Sequence, residues 1–193
     1  LSQKKYTTLR DILTTLNPAD IAIVLEDLKE DKITVLFRIL PKDTAAEVFI
    51  EMDADTQEQL ISAFSDKELK EIIDELYLDD AVDLVEEMPA NVVKRILKNT
   101  DPETRKSINE LLKYPEDSAG SIMTIEYVSL RIKMTVNEAI KRIRRTGVDK
   151  ETIHTCYVIA ETRELLGMIS LRTLLLADEE ATVEELMDTN PVF

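Results

Sequence analysis

Glycine, cysteine and aromatic residues are scarce in this sequence, and each shortage excludes a class of fold or site. Only 3 of the 193 residues are glycine, 5% are aromatic and none is tryptophan, which favours helices over a β-sandwich or barrel. Cys156 is the single cysteine, so we expect no disulfide framework, no thiolate metal site and a reducing, cytosolic setting. The one histidine, His154, stands beside it in a predicted strand, and no paired nucleophile and base is found. An enzyme is therefore not expected.

Long apolar runs and excess positive charge are also missing. We expect neither a membrane span nor a secretory signal, because no apolar run approaches the length of a bilayer crossing. The formal net charge of −15 argues against nucleic acid as a partner, since such a partner needs a basic surface. Residues 17–112 hold 11 Lys or Arg against 24 Asp or Glu, a net −13. That surface attracts cations, although acidic surfaces also simply keep proteins soluble.

A repeat of twelve residues runs through 17–112. Its eighth position is aliphatic in all eight blocks, at Val24, Leu36, Val48, Leu60, Ile72, Leu84, Ile96 and Ile108. The fifth, ninth and twelfth positions are apolar in most blocks, and the four positions together form one face of an α-helix. We therefore predict one helix of about two turns per block, too short to be stable alone, so that the helices must pack into a superhelix.

The block starts carry residues typical of helix N-termini. Prolines stand there at Pro18, Pro41, Pro89 and Pro102. The residues predicted to act as N-caps or first-turn acids are Asp20, Asp31, Asp43, Asp55, Ser65, Asp79, Asn91 and Asp101.

The sequence changes character after the last block. From residue 121 it predicts the order β-α-β-β-α, with Thr135 and Glu138 forming a capping box and alternating apolar residues in TIHTCYVIA and LLGMISL. The terminal ELMDTNPVF is similar to SIMTIEYVSL near residue 121, which indicates the first residues of a second copy of this unit. The predicted domains are 1–117, acidic and α-helical, and 118–193, a small α/β module.

Motifs in both predicted domains resemble those of MgtE-type magnesium transporters. In the first domain the similar stretches are NPADIAIVLEDL, LPKDTAAEVF and LDDAVDLVEEM. The junction YPEDSAGSIMT, followed by YVSLRIKMTVNEAIKRIR and LLGMISLRTLLLAD, resembles the family's elbow and its cystathionine-β-synthase (CBS) module. The resemblance implies a multi-domain α and α/β fold. It consists of a right-handed superhelix of short α-helices, followed by CBS domain 1 and the first residues of a second CBS module.

The resemblance also implies a function. It is that of a cytosolic magnesium-sensing regulatory region, in which Mg2+ bridges acidic domains and so gates ion flux. The family implies a homodimer formed through CBS modules. It further implies a transmembrane domain of the same polypeptide beyond this sequence, so that the chain is the cytoplasmic portion of an inner or plasma-membrane protein. The alternative is a cytosolic scaffold, in which the helical repeat binds a protein partner and a nucleotide tunes the CBS module.

Four acidic residues, Glu47, Asp79, Asp80 and Asp83, are the candidate metal ligands. Asp79 and Asp83 are four residues apart on one helical face, where like charges destabilise a helix unless a cation compensates. Mg2+ retains several waters, so one or two carboxylates suffice. By resemblance, Glu47, Asp79 and Asp83 match metal-facing acids of the family. The alternative is that Asp79 and Asp80 only stabilise a helix N-terminus.

The resemblance implies a nucleotide site in the CBS module as well. In SLRTL, Arg172 matches the family's basic residue, whereas Thr173 stands where an Asp usually binds ribose. Thr155 stands at a position where the family can have an aromatic residue that stacks on the base. These two departures argue against ATP, so Arg172, Thr173 and Thr155 are candidates for a doubtful ATP site.

Overall fold

The computed structural model describes residues 3–115 and 118–190, without the side chains of 3, 4, 30, 31 and 149. Contacts divide the chain into two compact units between Met123 and Thr124. The predicted domain boundary after residue 117 adjoins the undescribed residues 116 and 117 and stays a prediction.

The first unit is an array of short helices. Their bounds are α1 Gln3–Leu13, α2 Pro18–Glu26, α3 Glu30–Phe37, α4 Lys42–Ile50, α5 Ala54–Ala63, α6 Asp66–Ile73, α7 Leu78–Glu87, α8 Ala90–Asn99 and α9 Pro102–Leu111. From α2 to α9, every helix begins at the second position of its twelve-residue block. The predicted periodicity of one helix per block is therefore confirmed.

The first position of each block is the N-cap, and in six of the eight blocks a capping side chain or a proline suits that place, the exceptions being Lys29 and Tyr77. The side chains that accept a backbone N–H from the first turn are those of Asn17, Asp53, Ser65 and Asp101. Pro18 and Pro102 occupy the first helical position, while Pro41 and Pro89 occupy the cap itself. These caps satisfy N–H groups that a helix start leaves without intrahelical partners.

Some of the predicted capping residues are N-caps, and others lie in the first turn of a helix. Ser65 and Asp101 are caps, and the acids found in first turns are Asp20, Asp43, Asp55 and Asp79. Asn91 is wrong as a cap, because Pro89 holds that position in α8. The side chain of Asp31 lies outside the described residues.

The repeated apolar positions form the core of this unit. The eighth position is buried in six blocks, half-buried at Leu36 and 47% exposed at Val24. Two polar exceptions to the pattern are also buried and use the backbone as partner. Gln57 Nε2 donates to the Phe49 carbonyl at 2.9 Å, and Thr100 Oγ1 donates to the Ile96 carbonyl at 2.9 Å. Polar residues therefore replace apolar ones where a backbone carbonyl is within reach.

Two arginines close the C-terminal end of α5. Arg38 donates from Nη2 to the Ala63 carbonyl at 3.1 Å and from Nε to Glu68 Oε1 at 2.7 Å. Arg95 donates to the carbonyls of Ile61 and Phe64 and pairs with an acid at the start of α6. The last carbonyls of a helix lack intrahelical partners, so these contacts tie α3 and α8 to α5.

The second unit is built around a small mixed sheet. Its elements are β1 Tyr127–Leu130, α10 Val136–Thr146, a 3-10 turn Gly147–Asp149, β2 Thr152–Ile159, β3 Leu165–Ser170, α11 Leu171–Leu176 and α12 Val183–Leu186. β2 lies in the middle, parallel to β1 and antiparallel to β3. The order of elements and the Thr135–Glu138 capping box are as predicted. Residues 191–193 of the expected second copy lie outside the described residues.

One side of this sheet packs on the helices. Val128 and Leu130 of β1, Cys156 and Val158 of β2 and Ile169 of β3 are buried in one cluster with apolar residues of α10, α11 and α12. Within residues 3–115 and 118–190, none of the helices combines the length and the apolar character that crossing a bilayer requires.

The Arg38–Glu68 contact makes the stability of the first unit depend on pH. Hydrogen bonds from Arg38 and from the Ser65 backbone lower the pKa of Glu68 from 4.5 to about 2. An acid whose pKa is lowered by folding stabilises the fold above its unfolded pKa, and that stabilisation is lost as the pH falls through the folded pKa. We therefore expect Glu68→Gln to lower the urea midpoint at pH 7 and to flatten its decline between pH 4.5 and 2.

The matched control is Glu87→Gln, which removes an exposed carboxylate at the end of α7. Urea unfolding followed by circular dichroism should give nearly wild-type midpoints for this variant at every pH. Identical pH profiles for the two variants would contradict the assignment of the low pKa to the Arg38 contact.

Candidate functional site

Helix α7 presents the candidate metal ligands. Leu78, Ala81, Val82, Leu84 and Val85 are buried, and this fixes which way the helix faces. The acids of the helix are consequently half-buried or exposed and are not among the core residues. They are Asp79 and Asp80 in the first turn, Asp83 one turn later, and Glu86 and Glu87 at the end.

Asp79 and Asp83 interact electrostatically, as their i, i+4 spacing predicts. The surrounding protein partly removes water from Asp83, and this effect, followed by the charge of Asp79, raises the pKa of the Asp83 carboxyl. Oδ1 of Asp79 is buried and accepts no hydrogen bond. For Asp83, loss of water and a neighbouring like charge each disfavour the ionised form.

The other two candidates do not complete a metal cage. Glu47 is exposed on α4, and Asp80 is half-buried in the first turn of α7. Among the residues with described side chains, no three His, Cys, Asp or Glu form a group that could hold a metal ion. The donors present are therefore the hard oxygen atoms of a carboxylate pair. Mg2+ suits such a pair because it is usually bound through one or two carboxylates and keeps several of its waters.

Two of the three nucleotide candidates line one pocket in the second unit. The pocket has a volume of about 240 Å3, and its lining residues are Thr155, Met168, Ile169, Ser170, Thr173, Leu186 and Asp188. Ser170 caps α11 by accepting the Thr173 N–H at 3.0 Å, and the hydroxyl oxygens of these two residues lie 2.8 Å apart. Arg172 is exposed on α11 and is not among the lining residues.

Ser170 and Asp188 are polar lining residues that the sequence did not indicate, and of the two Asp188 lies outside the SLRTL segment. It stands in the apparent start of the second copy, and its neighbours there suggested only an extended segment. Its backbone pairs with Met168 of β3, twenty residues earlier, and this pairing places it at the pocket. No periodicity in the sequence signals such a contact.

Comparison with known proteins agrees with this division into two parts. The model of the MgtE intracellular N domain matches residues 16–117, and that of the CBS domain matches residues 119–180. The magnesium transporter MgtE of Thermus thermophilus is 37% identical to the whole chain, which covers 44% of that protein. The magnesium transporter MgtE of Bacillus subtilis is 27% identical to the whole chain, which covers 43% of it. The chain thus spans less than half the length of these relatives.

A solved structure confirms the predicted fold class of a helical domain followed by a CBS module. It is the cytosolic domain of the Mg2+ channel MgtE in complex with ATP, with a TM-score of 0.88 and 36% identity. The match covers 95% of this chain and 75% of that one. The helical repeat, the mixed sheet and these matches agree. The chain belongs to the MgtE family, and it carries an MgtE intracellular N domain followed by a CBS domain.

Proposed function

We propose that this chain is the cytoplasmic, magnesium-sensing regulatory region of a magnesium transporter or channel of the MgtE family. It would be joined to a transmembrane domain of the same polypeptide in an inner or plasma membrane. The relatives reported above are transporters by name, and this supports a role in ion transport in preference to catalysis or scaffolding. The observation that carries the sensing role is the Asp79–Asp83 pair, with a buried carboxylate oxygen that accepts no hydrogen bond.

In this proposal Mg2+ relieves the repulsion between the paired acids. Like charges four residues apart on a helix destabilise it by roughly 0.2–0.5 kcal/mol, and a cation bound at the pair would remove this cost. Waters held by Mg2+ donate hydrogen bonds to Asp79 and Asp83, including the oxygen that lacks a donor. Asp80 adds negative charge at the same helix start, and Glu47 acts as a separate single-carboxylate contact.

The regulatory step follows from the charge of the helical unit. Residues 17–112 carry a net −13, and each bound Mg2+ offsets two of these charges. Acidic surfaces repel one another until divalent ions bridge them, so the balance between separated and associated surfaces depends on the ion concentration. We propose that association through Mg2+ lowers ion flux when the ion is plentiful.

A second part of the proposal concerns ATP. The similar structure of 36% identity is described in complex with ATP, and Thr155 and Thr173 of this chain line one pocket. A threonine hydroxyl offers one donor and cannot accept as many hydrogen bonds as a carboxylate. We propose that a nucleotide binds here through its sugar, weakly, and without a base-stacking ring at Thr155.

The double variant Asp79→Asn, Asp83→Asn tests the role of the acid pair. In wild type, millimolar MgCl2 should raise the thermal unfolding midpoint more than NaCl of equal ionic strength, because a ligand that binds only the folded state stabilises it. The double variant should lose at least half of this Mg2+-specific increase. Its midpoint without Mg2+ should equal or exceed that of wild type, because the repulsion is gone.

The control is Glu86→Gln, Glu87→Gln, which removes two exposed carboxylates from the same helix. This variant should keep the wild-type response to Mg2+. If both double variants respond to Mg2+ alike, the effect belongs to general charge screening and the assignment of Asp79 and Asp83 is wrong.

The homodimer expected through the CBS units gives another prediction. Leu175 and Leu176 of α11 are 63% and 76% exposed, and neighbouring apolar side chains exposed in this way favour association. We expect Leu176→Asp to shift the full chain from dimer to monomer in sedimentation equilibrium. Val148→Asp, at a side chain 82% exposed in the same unit, should leave the dimer intact. A monomeric wild-type chain would contradict the proposed dimer.

A further inference from the structure

The pocket beside β3 and α11 has the chemistry of a sugar site. Thr155, Ser170 and Thr173 bring hydroxyl groups to it, while Met168, Ile169 and Leu186 give it an apolar wall. Hydroxyls beside an apolar wall suit a ligand that has both hydroxyl groups and a hydrocarbon face, as a pentose has. Its volume of about 240 Å3 is below the range of about 300–1,000 Å3 that is usual for pockets of drug-sized ligands. The pocket therefore fits part of a ligand, such as the sugar of a nucleoside.

Asp188 is the acidic residue among those that line this pocket. A carboxylate accepts hydrogen bonds at two oxygens, so it can bind two neighbouring hydroxyl groups at once. Oδ1 of Asp188 accepts the Asn190 N–H at 2.9 Å, and this bond orients the carboxyl group. Within the part of the chain that the structure describes, no hydrogen bond to Oδ2 is found.

The backbone of Asp188 is fixed to β3. The Met168 N–H donates to the Asp188 carbonyl at 2.9 Å, and the Asp188 N–H donates to the Met168 carbonyl at 2.8 Å. This close approach depends on Gly167, because a Cβ there would lie 2.4 Å from the Asp188 carbonyl oxygen. The residues of β3 therefore hold the Asp188 backbone at the pocket that Asp188 lines together with Thr155, Ser170 and Thr173.

Thr173 cannot replace Asp188 as the acceptor for two sugar hydroxyl groups. Its hydroxyl oxygen lies 2.8 Å from that of Ser170, so part of its bonding capacity is already used at the start of α11. We infer that Asp188 supplies the carboxylate that binds the 2′ and 3′ hydroxyls of a ribonucleoside in this pocket, and that it thereby distinguishes ribose from deoxyribose. The inference deepens the proposed nucleotide function and rests on it, while it is independent of the proposed Mg2+ site.

The test uses the full chain with adenosine and 2′-deoxyadenosine as probes, which carry no phosphate charge. Amide NMR spectra are recorded while each nucleoside is added. In wild type, adenosine should shift the amides of Thr155, Thr173 and Asp188, and 2′-deoxyadenosine should bind about tenfold or more weakly, because a hydrogen bond to a charged group is lost. In Asp188→Asn the two nucleosides should bind with nearly equal, weaker affinity.

Glu184→Gln is the matched control, since it removes an exposed carboxylate of α12 that does not line the pocket. It should keep the wild-type preference for ribose. Gly167→Ala should displace the Asp188 segment and remove the preference without a change of charge.

Two outcomes in wild type alone would overturn the inference. They are equal affinity for the two nucleosides and the absence of any shift with adenosine. Retention of the ribose preference by Asp188→Asn would overturn it as well. Failure of the Mg2+ prediction would leave these measurements unaffected, because the acid pair lies in the other unit.

Discussion

Helices α2 to α9 have only 8 to 10 residues each, and such helices are not stable alone in water. Each helix therefore has to bury one apolar face, and this requirement fixes four positions in every twelve. The first position is fixed by the need for a cap. Most of the acids of the unit stand at the remaining positions, although some of those positions, such as those of Ala22, Ala46 and Val82, are buried as well. The charge of the unit and its capacity to respond to cations thus follow from the way in which its helices are stabilised.

The acid pair on α7 is a case in which two acids outside the core interact with each other. Burial of Leu84 and its apolar neighbours leaves Asp79 and Asp83 on one side of the helix, where loss of water and then the charge of Asp79 raise the pKa of Asp83. Elsewhere an acid finds a positive partner, as Glu68 does in Arg38. The difference between a compensated and an uncompensated carboxylate is what makes one acid structural and the other a candidate ion contact.

The sequence predicted features that depend on local spacing and missed those that depend on tertiary contacts. The helix starts and the i, i+4 relation of Asp79 and Asp83 follow from a repeat that is visible in the residues. The exposure of Val24 does not follow from the repeat, because the eighth position is buried only where neighbouring helices cover it. The repeat also does not predict the contacts of Arg95 with the end of α5, about thirty residues away, or the pairing of Asp188 with Met168. The resemblance indicated Thr155 and Thr173 as site residues, but it gave no reason to choose Asp188.

Mg2+ binding beside Asp79 and Asp83 should favour the ionised form of Asp83, whose pKa is raised first by loss of water and then by the charge of Asp79. The direct measurement is a 13C NMR titration of the Asp83 carboxyl group in the full chain, with Mg2+ and with Na+ at equal ionic strength. We expect a pKa above the ordinary aspartate value in Na+, and a clearly lower pKa in millimolar Mg2+, because the bound cation favours the ionised carboxylate. An Asp83 pKa that is the same in both salts would contradict Mg2+ binding at this pair.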